Sequence, residues 1–254
     1  MDPTVNSIVD WLRLRVTSAA ARGLAVGLSG GVDSAVVARL CQLAAPAQVV
    51  GVVMPCASDP QDETDARVVA DLFDIPVVKV DLDPAYEAMV EEVRAALDSL
   101  PPQMTAAAGP SADIPARVPL ANIRPRLRMT TLYFFANSLN YLVAGTGNLS
   151  ELTIGYFTKY GDGGVDILPL GHLLKSRVTS IARELGIPQD IVDKPPSAGL
   201  WVGQTDEAEM GFSYADLESY LARGPEGVSP ALALRLERMI RATEHKRELP
   251  PVPE

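Results

Sequence analysis

The sequence predicts an α/β protein, an open, doubly wound parallel sheet flanked by helices. Three observations carry that prediction. Short apolar runs alternate with helix-periodic segments through brief connections, the pattern of right-handed βαβ units. The run Gln48-Val49-Val50-Gly51-Val52-Val53-Met54 is apolar almost throughout, as a strand covered on both faces must be. The first apolar run, Leu24 to Leu28, passes through Ser29-Gly30-Gly31-Val32-Asp33-Ser34 into the helix-compatible Ala35 to Leu40, a strand-to-helix turn built on two glycines.

Val5, Ile8, Val9, Leu12 and Val16 fall at helical spacing with Asp10, Arg13 and Arg15 off the stripe, so an amphipathic helix precedes the first strand. Pro55 ends the second strand. A helix over Gln61 to Phe73, a strand over Pro76 to Asp81 and a helix from about Pro84 to Leu97 follow, the last with Tyr86, Met89, Val90, Val93 and Leu97 on one face. Residues 99–119, rich in Pro, Ala and Gly, have little to bury and read as a mobile loop. A helix resumes at Leu120, with Pro125 in its first turn and Arg124, Arg126 and Arg128 close together. Its lower half, Met129 to Leu139, is more apolar and aromatic than one buried face requires, which fits either core or a subunit interface.

The strand Tyr141 to Gly145 delivers Thr146-Gly147-Asn148-Leu149-Ser150-Glu151 to the same sheet edge as the first loop, where parallel sheets bind ligands. Gly155 to Asp166 mixes glycines with Lys, Asp, Tyr and Thr and reads as a ligand-binding loop. A helix after Leu173 holds Lys175. A second flexible segment, about 198–210, contains Trp201, placed to cap a site. Helices near Tyr214 to Leu221 and Pro230 to Lys246 close the chain, and one domain is expected over residues 1–254.

With 254 residues and a formal charge of −10, the chain is poorly suited to non-specific nucleic-acid binding, which needs Lys and Arg against phosphate. No apolar run approaches the roughly 20 residues of a membrane span, and the N-terminus lacks a signal pattern. Two cysteines, Cys41 and Cys56, imply no disulfide framework, and a cytoplasmic protein is expected. Two histidines exclude a multi-histidine metal site and leave room for an oxygen-ligated Mg²⁺.

The glycine turn is an anion site: the backbone can approach a phosphate closely, successive N–H groups form a nest, and the helix N-terminus adds a favourable dipole. Ser29 and Ser34 offer hydroxyls, and Asp33 an oxygen for Mg²⁺. The lysine of the common nucleoside-triphosphate loop is absent. The loop resembles instead the Ser-Gly-Gly-x-Asp-Ser loop of the ATP pyrophosphatases; an ordinary Gly-Gly turn with a capping serine is the plainer alternative.

At Asn122-Ile123-Arg124-Pro125-Arg126-Leu127-Arg128-Met129, Gly145-Thr146-Gly147-Asn148, Tyr156-Phe157-Thr158-Lys159-Tyr160-Gly161-Asp162-Gly163-Gly164 and Glu244-His245-Lys246-Arg247, the sequence is similar to the ammonia-dependent NAD synthetases. The likeness runs from the first helix to about Arg247. It implies a Rossmann-like sheet of the adenine nucleotide alpha hydrolase type. It also implies a reaction in which ATP·Mg²⁺ activates the nicotinate carboxylate of deamido-NAD as an adenylate, and ammonia displaces AMP to give NAD. By that resemblance Gly27, Leu28, Ser29, Gly30, Gly31, Val32, Asp33 and Ser34 hold ATP phosphates, and Thr146, Lys175 and Ser197 touch ATP. Asp33 and Glu151 bind Mg²⁺, Asp33 and Lys175 serve catalysis, and Arg126, Lys159, Asp166, His245 and Lys246 contact deamido-NAD. A homodimer joined through the aromatic half of the Arg126 helix is also implied. The segment Cys56 to Pro60 departs from the family's Tyr-Gly pattern and its preceding arginine, and Ser197 replaces a common threonine. The synthetase pattern occupies nearly the whole chain, so free ammonia is the expected nitrogen donor. The competing readings are another amide- or thiol-forming ATP pyrophosphatase and a non-catalytic adenine-nucleotide sensor.

Overall fold

Four parallel strands form one sheet: β1 (Gly23–Gly27), β2 (Val49–Val53), β3 (Val77–Lys79) and β4 (Tyr141–Ala144), in the order β3-β2-β1-β4. They are seen in a computed structural model that describes residues 2–107, 118–197, 199 and 204–253. The register sets Leu24 between Val49 and Leu142. Side chains alternate across the sheet. Leu24, Val26 and Val53 join a core with α1 (Pro3–Ser18), α2 (Val32–Ala44) and α3 (Pro60–Leu72). Ala25, Val52 and Val143 face the other way, toward Leu132 and Ala136.

The helices begin where capping chemistry allows. Asp2 accepts from the Thr4 N–H at 2.6 Å ahead of α1, whose Val5, Ile8, Val9 and Leu12 are buried as their spacing predicted. Asp59 accepts from the Gln61 N–H at 2.9 Å, with Pro60 opening α3. From β1 the chain winds outward through α2 and α3 to β3. It then crosses to the opposite face through α4 (Asp83–Asp98), α5 (Pro102–Ala107), α6 (Val118–Ala121) and α7 (Ile123–Leu139), and inserts β4 beside β1. The winding direction therefore reverses between β1 and β4, which opens a crevice at their carboxyl ends.

The remaining helices are α8 (Leu149–Ile154), α9 (Lys175–Glu184), α10 (Gln189–Val192), α11 (Asp206–Met210), α12 (Tyr214–Arg223) and α13 (Pro230–Ala242), of which α8, α9 and α11 bring Glu151, Lys175 and Asp206 to the crevice. Ile154, Met210, Phe212, Tyr214, Leu217 and Leu236 form their own apolar cluster.

Several expectations change. The third strand is shorter than read. The stretch 99–119 contains α5 and the start of α6, while residues 108–117 lie outside those described. The expected flexible segment 198–210 ends in α11, held by the burial of Met210 among aromatic side chains; Trp201 is outside the described residues. The terminal helix stops at Ala242, where Thr243 caps it, and Glu244–Lys246 form a separate 3₁₀ turn. On α4, whose apolar residues share one face as read, Met89, Val93 and Leu97 are exposed. Among the described residues no helix is long and apolar enough to cross a membrane.

Candidate active site

A cleft of about 780 Å³ lies over the β1/β4 crevice. Gly27, Leu28, Ser29, Gly31, Val32, Asp33, Ser34, Thr146, Glu151, Lys175, Ser197 and Lys246 line it. Gly30 shapes the turn beneath. Its φ of +74° is costly for any other residue, and a Cβ there would stand 2.3 Å from the Asp62 carbonyl oxygen. The loop is bonded to itself: the Ser29 N–H points to Ser34 Oγ at 3.3 Å, and the Ser34 hydroxyl donates to the Gly31 carbonyl at 2.9 Å. The start of α2, which no side chain caps, lines the cleft and suits an anion.

Three elements bring charge to one point. Asp33 stands in the first turn of α2, Glu151 in the first turn of α8, and Lys175 is the first residue of α9. Lys175 is only 6% exposed. Its backbone N–H donates to Ser150 Oγ at 3.2 Å, and its ammonium pairs with Asp33 Oδ2 and lies 3.8 Å from Glu151 Oε1. Asn148 joins the carboxylates. Its Nδ2 donates to Asp33 Oδ1 at 3.3 Å, and it shares a reciprocal capping box with Glu151. The Tyr214 hydroxyl donates to Asp206 Oδ2 at 2.8 Å and lies 3.3 Å from Glu151 Oε1.

Burial, and then the charge of Asp33, push Glu151 up to about 8. Burial pulls Lys175 down, but Asp33 and Glu151 outweigh it and leave its pKa above the ordinary lysine value. Asp206 is raised, foremost by burial. It is 4% exposed, and its Oδ1 has no hydrogen bond among the described residues. Three carboxyl groups crowd one ammonium, and the raised pKa of Glu151 and of Asp206 reflects negative charge held at a cost that a bound cation would relieve. Among the described residues no three ligating side chains converge enough to hold a metal alone. Mg²⁺ takes only one or two carboxylates when phosphate oxygens complete its shell, so Asp33 and Glu151 could hold it beside a bound nucleotide.

The other side of the cleft is built from the glycine-rich loop and the C-terminus. Lys246 donates to the carbonyls of Gly155 and Phe157, both at 2.7 Å. Lys159 reaches the His245 carbonyl, and Arg126 donates to the Lys159 carbonyl at 3.3 Å, so these residues gather beside the cleft without lining it. Asp166 stands apart from them: it accepts from the Val143 N–H at 2.7 Å and the Tyr133 hydroxyl at 2.9 Å, tying β4 to α7.

Asn148, Asp206 and Tyr214 were not nominated from sequence. The Asn148-to-Glu151 spacing is a capping-box signature and could have exposed the first. No motif marks Asp206 or Tyr214, which reach the site only because α11 and α12 fold over it.

The NAD synthase family model matches residues 4–250. A protein of Carboxydothermus hydrogenoformans described as an NH(3)-dependent NAD(+) synthetase is 52% identical, over 98% of this chain and 96% of its own length. One of Syntrophomonas wolfei with the same description is 43% identical, over 99% and 95%. Among solved structures, the NMN synthetase of Francisella tularensis superposes with a TM-score of 0.87 at 35% identity, covering 100% of this chain and 99% of that one. The NH3-dependent NAD synthetase of Campylobacter jejuni, in complex with nitrate, gives 0.77 at 26% identity, covering 100% of both.

Proposed function

The chain belongs to the NAD synthase family, and on that premise we propose how its cleft divides the work of the reaction. The activity is that of a carbon–nitrogen ligase. Deamido-NAD is amidated with ammonia at the expense of ATP, through a nicotinyl adenylate, with NAD, AMP and pyrophosphate as products.

In this reading the Gly27 to Ser34 loop binds the ATP phosphates through the α2 N-terminus, and Thr146 and Ser197 hold the nucleotide from either side. Asp33 and Glu151 would hold Mg²⁺, which when bound would supply positive charge against the departing pyrophosphate. Lys175 adds a second positive charge to that region and orients Asp33. Arg126, Lys159, Asp166, His245 and Lys246 contact deamido-NAD. Ammonia attacks as NH₃, since NH₄⁺ has no lone pair. The carrying observation is the convergence of Asp33, Glu151 and Lys175 from three separate elements at the point where the sheet reverses its winding.

The test is formation of NAD, AMP and pyrophosphate by the purified chain from deamido-NAD, ATP and ammonium chloride. Nicotinate mononucleotide belongs in a parallel assay, because the likeness to an NMN synthetase favours it as a second substrate. Preferential turnover of the mononucleotide would make that the better reading. We further infer a cytoplasmic homodimer joined through α7, where Phe134 is 67% exposed beside Phe135. Light scattering that finds a stable, fully active monomer would refute the dimer.

A further inference from the structure

Of the three neighbouring arginines Arg124, Arg126 and Arg128, the functional reading uses only Arg126. Arg124 stacks 4.7 Å over the ring of Tyr86. Arg128 lines the cleft and does something else. Its Nε donates to the Met54 carbonyl at 3.2 Å, and one terminal nitrogen reaches Ser58 Oγ at 3.0 Å and the Gly199 carbonyl at 3.5 Å. All three partners are neutral. Among the described residues Arg128 forms no ion pair, whereas Lys175, Lys194 and Lys79 in the same cleft each have a carboxylate partner. Burial lowers its pKa, the mark of a guanidinium drawn out of water.

A half-buried cation without a counter-ion is costly, and a bound anion removes the cost. The position of Arg128 on α7 says which anion. One turn before it, Pro125 packs under the glycine-rich loop, where a side chain at Gly161 would meet it at 3.0 Å. One turn after it, Leu132 lies 4.0 Å from where a Gly27 Cβ would be, at the mouth of the phosphate loop. α7 therefore runs from the wall assigned to deamido-NAD to the wall assigned to ATP, and the Arg128 guanidinium, bonded to Met54 at the end of β2 and to Ser58, lies on the ATP side. The atom both substrates share as they react is the α-phosphorus.

We propose that Arg128 is a catalytic residue whose guanidinium binds the non-bridging oxygens of the ATP α-phosphate during adenylation. The assignment rests on the ligase reading above. A lone pair of the nicotinate carboxylate forms the new O–P bond while the bond from the α-phosphorus to the bridging oxygen breaks, its electrons leaving on pyrophosphate. Both reactants are anions, so a cation whose second terminal nitrogen turns two N–H donors to the α-phosphate lowers their repulsion, while Met54 and Ser58 hold the rest of the guanidinium plane in place. The fork matters as well as the charge.

Wild type, Arg128→Met and Arg128→Lys are compared by pyrophosphate release from ATP and deamido-NAD without ammonium, by NAD formation with it, and by thermal unfolding. Arg128→Met, which exchanges an unpaired cation for an apolar side chain of similar length, is expected to unfold at the wild-type temperature or above. Its maximal rate of pyrophosphate release is expected to fall about 100-fold, the usual loss for one donor to developing charge. Arg128→Lys keeps the charge and loses the fork; it is expected to be about tenfold slower at unchanged unfolding temperature. A wild-type rate in Arg128→Lys together with a fall in both rate and unfolding temperature in Arg128→Met would reduce Arg128 to a structural strut. A raised KM for deamido-NAD at an unchanged maximal rate would assign it to the dinucleotide and overturn the proposal. A wild-type chain that makes no NAD would instead overturn the ligase reading.

Discussion

The phosphate-loop end of the cleft and the side proposed for the dinucleotide use the same kind of side chain in opposite ways. At the first, Lys175 is buried and bound to Asp33 in a network that also takes in Asn148, Glu151, Tyr214 and Asp206. At the second, His245 is exposed, Lys246 is half-buried, and Lys159, Lys246 and Arg126 are parked on backbone carbonyls rather than on carboxylates. A neutral carbonyl holds a cation in place without cancelling its charge, so these three keep their attraction for an anionic substrate. In the proposed reading, the buried end serves the making and breaking of bonds and the open side serves attraction and release.

Substitutions should therefore fail differently at the two places. Asp33→Asn is expected to slow adenylation about 10³-fold with folding preserved, because a carboxylate facing the reaction is lost; rapid-quench detection of pyrophosphate checks this, and an unchanged rate would break the distinction at once. Lys175→Met is expected to lower stability by about 3 kcal/mol, since it strands buried carboxylates, and denaturant unfolding measures it. Gly30→Ala is expected to cost about 2 kcal/mol through its left-handed φ and the clash with Asp62, and to weaken ATP binding by calorimetry. Lys246→Met, on the open side, is expected to raise the KM for deamido-NAD about tenfold while kcat hardly changes, the loss of one charge-assisted contact of about 1.4 kcal/mol. A fall in kcat with constant KM for Lys246→Met would mean that the two sides are not separate in role.

What was legible in the sequence follows the same division. The strands, α2 and the glycine turn could be read because continuous apolar runs and left-handed glycines are local properties. The Asp33 carboxylate could be placed because it is two residues inside that turn. The burial of Lys175 could not be, since a lysine opening a helix beside arginines looks like a solvated surface group until α12 covers it. For α4 the sequence shows a stripe but not what covers it. Its stripe of Met89, Val93 and Leu97 has core periodicity, yet periodicity cannot say whether the chain itself or another surface covers it. Asp206 was invisible because its role comes from contacts with Tyr214, not from neighbours in sequence.

The strand order also sets a schedule for making the protein. The central strand β1 pairs on one side with β2 soon after synthesis, but on the other side Gly23 must wait for Tyr141, more than a hundred residues later. Until then a nascent chain presents an unpaired edge of Leu24, Ala25 and Val26, the kind of long-range parallel closure that folds slowly and invites association. The loop that follows β1 is thus complete in sequence long before the crevice beside it exists. Lys175 emerges later still, so on the ribosome the capacity to neutralise Asp33 arrives only after the sheet has been able to close.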